Sequence, residues 1–211
     1  MQASGRPDPR PATRTWHSRL RAEVGPLLLM LALLTVARTS FANHYQVPSG
    51  SMEPTLQPGD RVVVDMSAYG LRLPFTDLQL VHRDTPRPGD VVVFESPADG
   101  SRLIKRVVAV GGQVVRLQGG HLWIDGRPLA SAGDPALERF GTRHARLGLD
   151  MGGGPDIPRL RVPPGKVLVL GDHRGNSLDG RYFGLVDADA IYARALGVYW
   201  RSGEGPVWKR L

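Results

Sequence analysis

Two short valine-rich blocks constrain this chain most. Arg61-Val-Val-Val-Asp65 follows the turn Pro58-Gly-Asp60, and Val91-Val-Val-Phe94 follows the matching turn Pro88-Gly-Asp90. β-Branched side chains are restricted at χ1 and pack well on a pleated surface, so such runs bounded by Pro-Gly turns read as strands. More of the same kind follow. Leu103 to Val110 ends in Gly111-Gly112, Gln113–Gln118 and His121–Asp125 flank the hairpin signal Gly119-Gly120, Lys166–Leu170 follows Pro163-Pro-Gly165, and Ile191–Trp200 closes the series. No α/β alternation and no long soluble helix interrupts them. The body is therefore expected to be a mainly β, mostly antiparallel domain. Residues 130–160 are rich in Gly, Pro and charge and read as a loop-rich insertion or small subdomain.

The amino-terminal side is different. Residues 1–23 carry five Arg against Asp8 and Glu23, and an uncharged apolar run extends from Val24 to Ala37. That run is short for a membrane span, which needs about 20 residues. A cleaved signal peptide and a buried helix are the competing readings. Trp16 and Tyr45 at interfacial positions, and an Arg38 able to snorkel, favour an uncleaved anchor over 24–42. The Arg-rich tail would then stay cytoplasmic and residues 43–211 would lie outside.

Composition removes several function classes. The formal net charge is +7, but the Arg residues are scattered and no nucleic-acid-binding motif accompanies them, so no nucleic-acid partner is expected. Cysteine is absent, which excludes disulfides, thiol nucleophiles and thiolate metal sites. The six His lack paired metal-ligand spacing, so neither a metal nor another cofactor is expected.

The segment VPSGSMEPTLQPGD at 47–60 offers serine nucleophiles soon after the apolar run. A serine hydroxyl needs a base to take its proton. His173, beside Asp172 in GDHRGN, is one candidate. Lys105, one of only three lysines, is the other. It lies inside the predicted strand RLIKRVVAV, where alternation puts it on a face with Leu103, Val107 and Ala109. Burial there would lower its pKa and make the neutral amine a competent base. The spacing equally allows a lysine that snorkels out at a sheet edge.

The three segments VPSGSMEPTLQPGD (47–60), RLIKRVVAVGG (102–112) and GDHRGNSLDGRYFG (171–184) resemble, in this order, the serine box, the lysine box and the third box of bacterial type I signal peptidases. The resemblance covers about residues 20–126 and 162–200. It implies a signal-peptidase-type β domain on an N-terminal transmembrane helix in the bacterial cytoplasmic membrane, acting outside the cytoplasm on the signal peptides of secretory preproteins, with lipid as a second partner. It implies Ser51 as nucleophile, Lys105 as general base, Ser49 with the Ser51 backbone N–H as oxyanion hole, Ser177 as the lysine-orienting hydroxyl, and Asp179 with Arg181 as a structural pair. Tyr45, Val47, Met52 and Ile104 would line a pocket for small side chains one and three residues before the cut. The third box departs from the family pattern at His173 (usually Asn), Gly175 (usually Asp) and Gly180 (usually Ser). A specialised Ser/Lys maturation protease, for example of a conjugative-transfer system, and a non-enzymatic anchored binding domain are the alternatives.

Overall fold

A strand that is apolar at every position needs cover on both faces, and this requirement shapes the domain. The computed structural model describes residues 24–31, 42–72 and 79–211. The chain splits into two units, Met1–Arg38 and Thr39–Leu211. In the first, residues 24–31 form helix α1, with Val24 and Leu27 to Leu31 exposed. Among the described residues no helix is long and apolar enough to cross a membrane. The rest of the expected anchor, apart from Ala42, and the basic tail lie outside the described residues.

The second unit contains the strands β1 (Ala42–Gln46), β2 (Arg61–Asp65), β3 (Gly70–Arg72), β4 (Gln79–His82), β5 (Val91–Glu95), β6 (Arg102–Val110), β7 (Val114–Gln118), β8 (His121–Ile124), β9 (Arg127–Pro128), β10 (Ala130–Ser131), β11 (Asp134–Phe140), β12 (Arg143–Arg146), β13 (Ile157–Arg161), β14 (Lys166–Leu170), β15 (Val186–Asp187), β16 (Ala193–Arg201) and β17 (Gly205–Arg210). A one-turn helix, α2 (Gly180–Phe183), precedes β15. The main sheet runs β1-β2-β16-β5-β6-β14-β15, with β17 added to β16. Smaller sheets are β13-β7-β8-β9, β10-β11-β12 and the hairpin β3-β4. The pairings between these strands are antiparallel, as expected for a mainly β chain.

Alternation along the central strands divides the core. In β5, Val91 and Val93 pack with Val47, Met52, Leu56 and Val62, while Val92 and Phe94 pack with Val107, Val167 and Val169. In β14, Val167 and Val169 join that second cluster, whereas Leu168 and Leu170 face Val115, Leu117 and Leu122 of the β7–β8 layer. The uninterrupted valine runs thus fill both faces of one sheet.

One expectation about β6 needs correction. Leu103 and Val107 pack on the same cluster, but Ala109 packs with Val108 on the β7–β8 side. The β6–β14 register shifts here, since Leu168 faces Ala109 and Val169 faces Val107, leaving Val108 as the extra residue. Such a bulge reverses the alternation beyond it.

Residues 130–160 are more ordered than a loop-rich reading allows. They hold β11 and β12, and β13 returns to pair with β7. Phe140, Ala145 and Ile157 join the β7–β8 core. The pattern was hidden by Glu138, a carboxylate at a fully buried position of β11. Its partner is Arg174: the guanidinium donates to Glu138 Oε2 at 2.6 Å, with both side chains fully buried. Breaking a buried pair by removing one partner costs about 3–5 kcal/mol, because the other charge stays buried. Glu138→Ala is therefore expected to lower Tm by roughly 10 °C in a chain of this length, measurable by calorimetry.

Candidate functional site

A short 3-10 turn, Gly50–Met52, carries Ser51 immediately after β1. Its approach is fixed by backbone bonds from Val47 N to Asp60 O and from Gly59 N to Val47 O, both 2.8 Å. Met52 and Leu56 are fully buried beneath it. The mid-strand position of Lys105 in β6 aims its side chain at this turn, and its amine is hydrogen-bonded to Ser51 Oγ at 2.6 Å. Lys105 is only 3% exposed. Burial pulls its pKa down from 10.5 to about 8; Asp179 and Asp172 oppose that shift and Arg181 reinforces it. Ser49 Oγ lies 3.4 Å from Ser51 Oγ.

The loop after β14 closes the site. Gly171 sits where a Cβ would run into Ser177 Oγ and the Ser51 carbonyl, so only glycine permits this approach. His173 N donates to the Ser51 carbonyl at 3.2 Å. Asp179 caps α2 by accepting from Arg181 N, accepts from Gly171 N at 2.9 Å, and holds the Arg181 guanidinium through two bonds of 2.8 Å. Ser177 is buried close by, yet its hydroxyl makes no hydrogen bond among the described residues; the expected bond to Lys105 is not formed. The His173 imidazole sits between two carboxylates, Nδ1 3.4 Å from Glu53 Oε2 and Nε2 3.0 Å from Asp150 Oδ1. The Ser51 hydroxyl has Lys105, not this ring, as its neighbouring base.

The departures in the third segment have local causes. A Cβ on Gly175 would meet the Met151 carbonyl, and one on Gly180 would approach Leu168 Cδ1 at 2.7 Å and Val169 O at 2.9 Å. The insertion backbone occupies the space that an Asp side chain at 175 would need. Gly148 also bridges to His173, with Gly148 N donating to Asp172 O at 3.0 Å.

Sequence reasoning passed over a second buried network. The Arg106 guanidinium grips Asp172 through bonds of 2.8 and 2.7 Å and donates to Gly89 O, while Thr55 Oγ1 donates to Asp172 Oδ2 at 2.5 Å. It joins the lysine-bearing strand, the segment after Ser51 and the closing loop. A signal was present: alternation turns Arg106 to the opposite face from Lys105, and a charge on a doubly covered strand needs a partner.

A cavity of about 220 Å³ lies next to the site, lined by Tyr45, Val47, Pro48, Val93, Arg102 and Ile104 among others. Met52 does not line it; the side chain is fully buried in the cluster below. A larger, basic cavity of about 570 Å³ involves Thr55, Arg106, Arg143 and Lys209, but neither Ser51 nor Lys105 lines it. Among the described residues no cluster of His, Asp and Glu is arranged to hold a metal ion.

The family described as "Signal peptidase, peptidase S26" matches residues 21–200. Signal peptidase I of Pseudomonas fluorescens is 33% identical over 207 residues, spanning 86% of this chain and 72% of its own. Signal peptidase I of Pseudomonas aeruginosa is 31% identical over 231 residues, covering 97% of this chain and 81% of its own. Probable signal peptidase I-2 of Synechocystis sp. is 31% identical over 201 residues, covering 90% and 76%.

The buried amine makes a stability prediction with a definite sign. The folded pKa of Lys105, about 8, lies below its ordinary 10.5, so between these values the unfolded chain binds more protons and stability rises with pH. At pH 7 the buried ammonium penalises the fold by about 3 kcal/mol. Lys105→Met keeps the apolar stem and is expected to be more stable by about 1–3 kcal/mol at pH 7. The gap should narrow as pH climbs from about 8 to about 10.5. Urea unfolding of both proteins across this range measures it.

Proposed function

The chain belongs to the signal peptidase family, peptidase S26, and is a serine endopeptidase, and we propose that it removes signal peptides from secretory preproteins with Ser51 as nucleophile and Lys105 as general base. The observation that carries this reading is the 2.6 Å contact between the two side chains at a buried amine whose pKa is drawn down to about 8. A neutral Lys105 takes the Ser51 proton as Oγ attacks the scissile carbonyl carbon. The oxyanion of the tetrahedral intermediate accepts hydrogen bonds from the Ser51 backbone N–H and the Ser49 hydroxyl, donors set in place before charge develops. The Lys105 ammonium then gives its proton to the leaving amine, which departs as the mature N-terminus. The signal peptide remains as an ester on Ser51. Lys105 next deprotonates a water, whose attack releases the peptide acid and returns the proton to Oγ.

Supporting roles follow from position. The Ser177 hydroxyl, buried and uncommitted, is free to accept from the Lys105 amine and aim it. Asp179 and Arg181 brace the loop that carries it. The substrate lies as an added strand, with small side chains entering the cavity edged by Tyr45, Val47 and Ile104.

The proposal extends to the membrane. Residues 1–23 form a basic cytoplasmic tail, 24–42 a transmembrane anchor, and 43–211 an extracytoplasmic catalytic domain at the bacterial cytoplasmic membrane. The uncharged run Val24 to Ala37 and the Arg excess before it support this orientation. An anchor ending close before Ser51 confines enzyme and preprotein to one layer and raises their effective concentration.

Turnover of a purified preprotein against pH tests the mechanism. The rate should rise as Lys105 loses its proton, half-maximal near pH 8 rather than near 10.5. Ser51→Ala and Lys105→Met should be inactive. Lys105→Arg should be inactive as well, since arginine stays protonated. His173→Ala should keep most activity while folded. Substantial activity in Lys105→Met, or its loss in folded His173→Ala, would overturn the Ser–Lys assignment.

A further inference from the structure

The cavity beside the site has one charged side chain at its edge. Tyr45, Val47, Pro48, Val93 and Ile104 are among its walls, and Arg102 completes them. The Arg102 guanidinium lies 4.5 Å over the centre of the Tyr45 ring, a cation–π contact. This contact holds the group in place without neutralising it. Glu95 faces Arg102 across the β5–β6 pair, yet among the described residues no carboxylate forms an ion pair with Arg102.

The position of the cavity along the substrate can be worked out from strand geometry. Ser51 and Lys105 mark where the scissile carbonyl must sit. In an extended peptide, alternate side chains share a face, so the residues one and three before the cut point the same way, roughly 6.6 Å apart. The cavity draws one wall from Tyr45–Pro48, upstream of Ser51, and another from Arg102–Ile104, upstream of Lys105, and neither Ser51 nor Lys105 lines it. Leu103 and Arg102 precede Lys105 in β6 by two and three residues, about 7–10 Å of strand. The cavity therefore lies about one alternate-residue step from the reacting centre, where the side chain three before the cut arrives.

We propose that Arg102 is a specificity-determining residue that reads the charge of the substrate side chain three residues before the cut, disfavouring cationic side chains there and favouring short acidic ones. This deepens the protease reading above and rests on it. Size selection comes from the apolar walls, which discriminate poorly among side chains of similar volume. Charge selection comes from the exposed Arg102 guanidinium, held at the rim of those walls by the Tyr45 ring. An incoming ammonium meets repulsion, whereas an incoming carboxylate finds the ion pair that Arg102 lacks within the protein.

The test compares peptides identical except for Ala, Asp or Lys three residues before the cut. Exposed charge pairs are individually weak, but attraction to one peptide and repulsion of the other multiply. The Asp-to-Lys ratio of kcat/KM should be on the order of tenfold at low salt, shrinking as salt rises. In Arg102→Gln the ratio should fall to about one, and in Arg102→Glu it should invert. A ratio removes any uniform loss caused by the substitution, and Arg102→Gln serves if Arg102→Glu does not fold. An unchanged ratio in Arg102→Gln, or a charge effect confined to the residue one before the cut, would overturn the proposal while leaving the protease intact. Failure of the unaltered protein to cleave any of the three peptides would overturn the protease reading and this proposal with it.

Discussion

Desolvation of one amine is the constraint on which the rest of the structure depends. Lys105 can approach neutrality near physiological pH only if water is kept from it, and a strand keeps water out only when both of its faces are covered. The central valine strands serve that purpose. Val92, Phe94, Leu103 and Val107 pack on one side of the sheet, while the cluster of Val47, Met52, Leu56 and Val93 lies under the serine turn on the other. The nearby carboxylates Asp179 and Asp172 would undo the effect if they were unpaired, since both favour the ammonium form. Arg181 and Arg106 engage them through two-pronged contacts.

That pairing also explains the unusual density of buried charge around residues 171–181. Asp172–Arg106, Arg174–Glu138 and Asp179–Arg181 are all inaccessible or nearly so. Buried ion pairs are a poor source of net stability, because desolvation offsets most of the Coulomb gain. Their value here is positional. Each ties the loop after β14 to a different element: the lysine strand, the insertion sheet and the loop's own helix turn. Thr55 adds a link from the serine segment to Asp172. Ser51 and Lys105 come from distant parts of the chain, and charge-assisted bonds supply the directional restraint that apolar packing lacks.

The insertion between β10 and β13 contributes to the same end. Glu138 enters the core to meet Arg174, Gly148 bridges to His173, and the backbone at Met151 and Gly152 fills the space beside Gly175. The glycine at 175 and the insertion fit each other: a side chain there would collide with the segment that replaces it. The imidazole at 173, between Glu53 and Asp150, joins the serine turn to that segment. The closing loop is thus held by contacts other than those an Asp at 175 could make.

Legibility followed the range of the forces involved. The valine runs, Pro-Gly turns and glycine pairs are local steric signals, and they carried β2, β5, β6, β14 and β16 of the main sheet, though not the short β15, and the antiparallel class. The resemblance of three ordered motifs to a known family points to Ser51, Lys105 and the third segment. Less was readable wherever a long-range partner sets the side chain's state. The burial of Glu138 has no local signal because its partner lies 36 positions away, and Ala109 falls on the wrong face because a single bulge is invisible to an alternation rule. Arg106 and Asp172 showed a charge needing a partner but not which one. The sequence by itself determined the sheet-forming pattern and the candidate nucleophile and bases. Only the tertiary structure decided which base meets the hydroxyl, which charges are buried and how far the amine's proton affinity falls, because desolvation and ion pairing depend on distances in space and on excluded water, neither of which is encoded in the local chain.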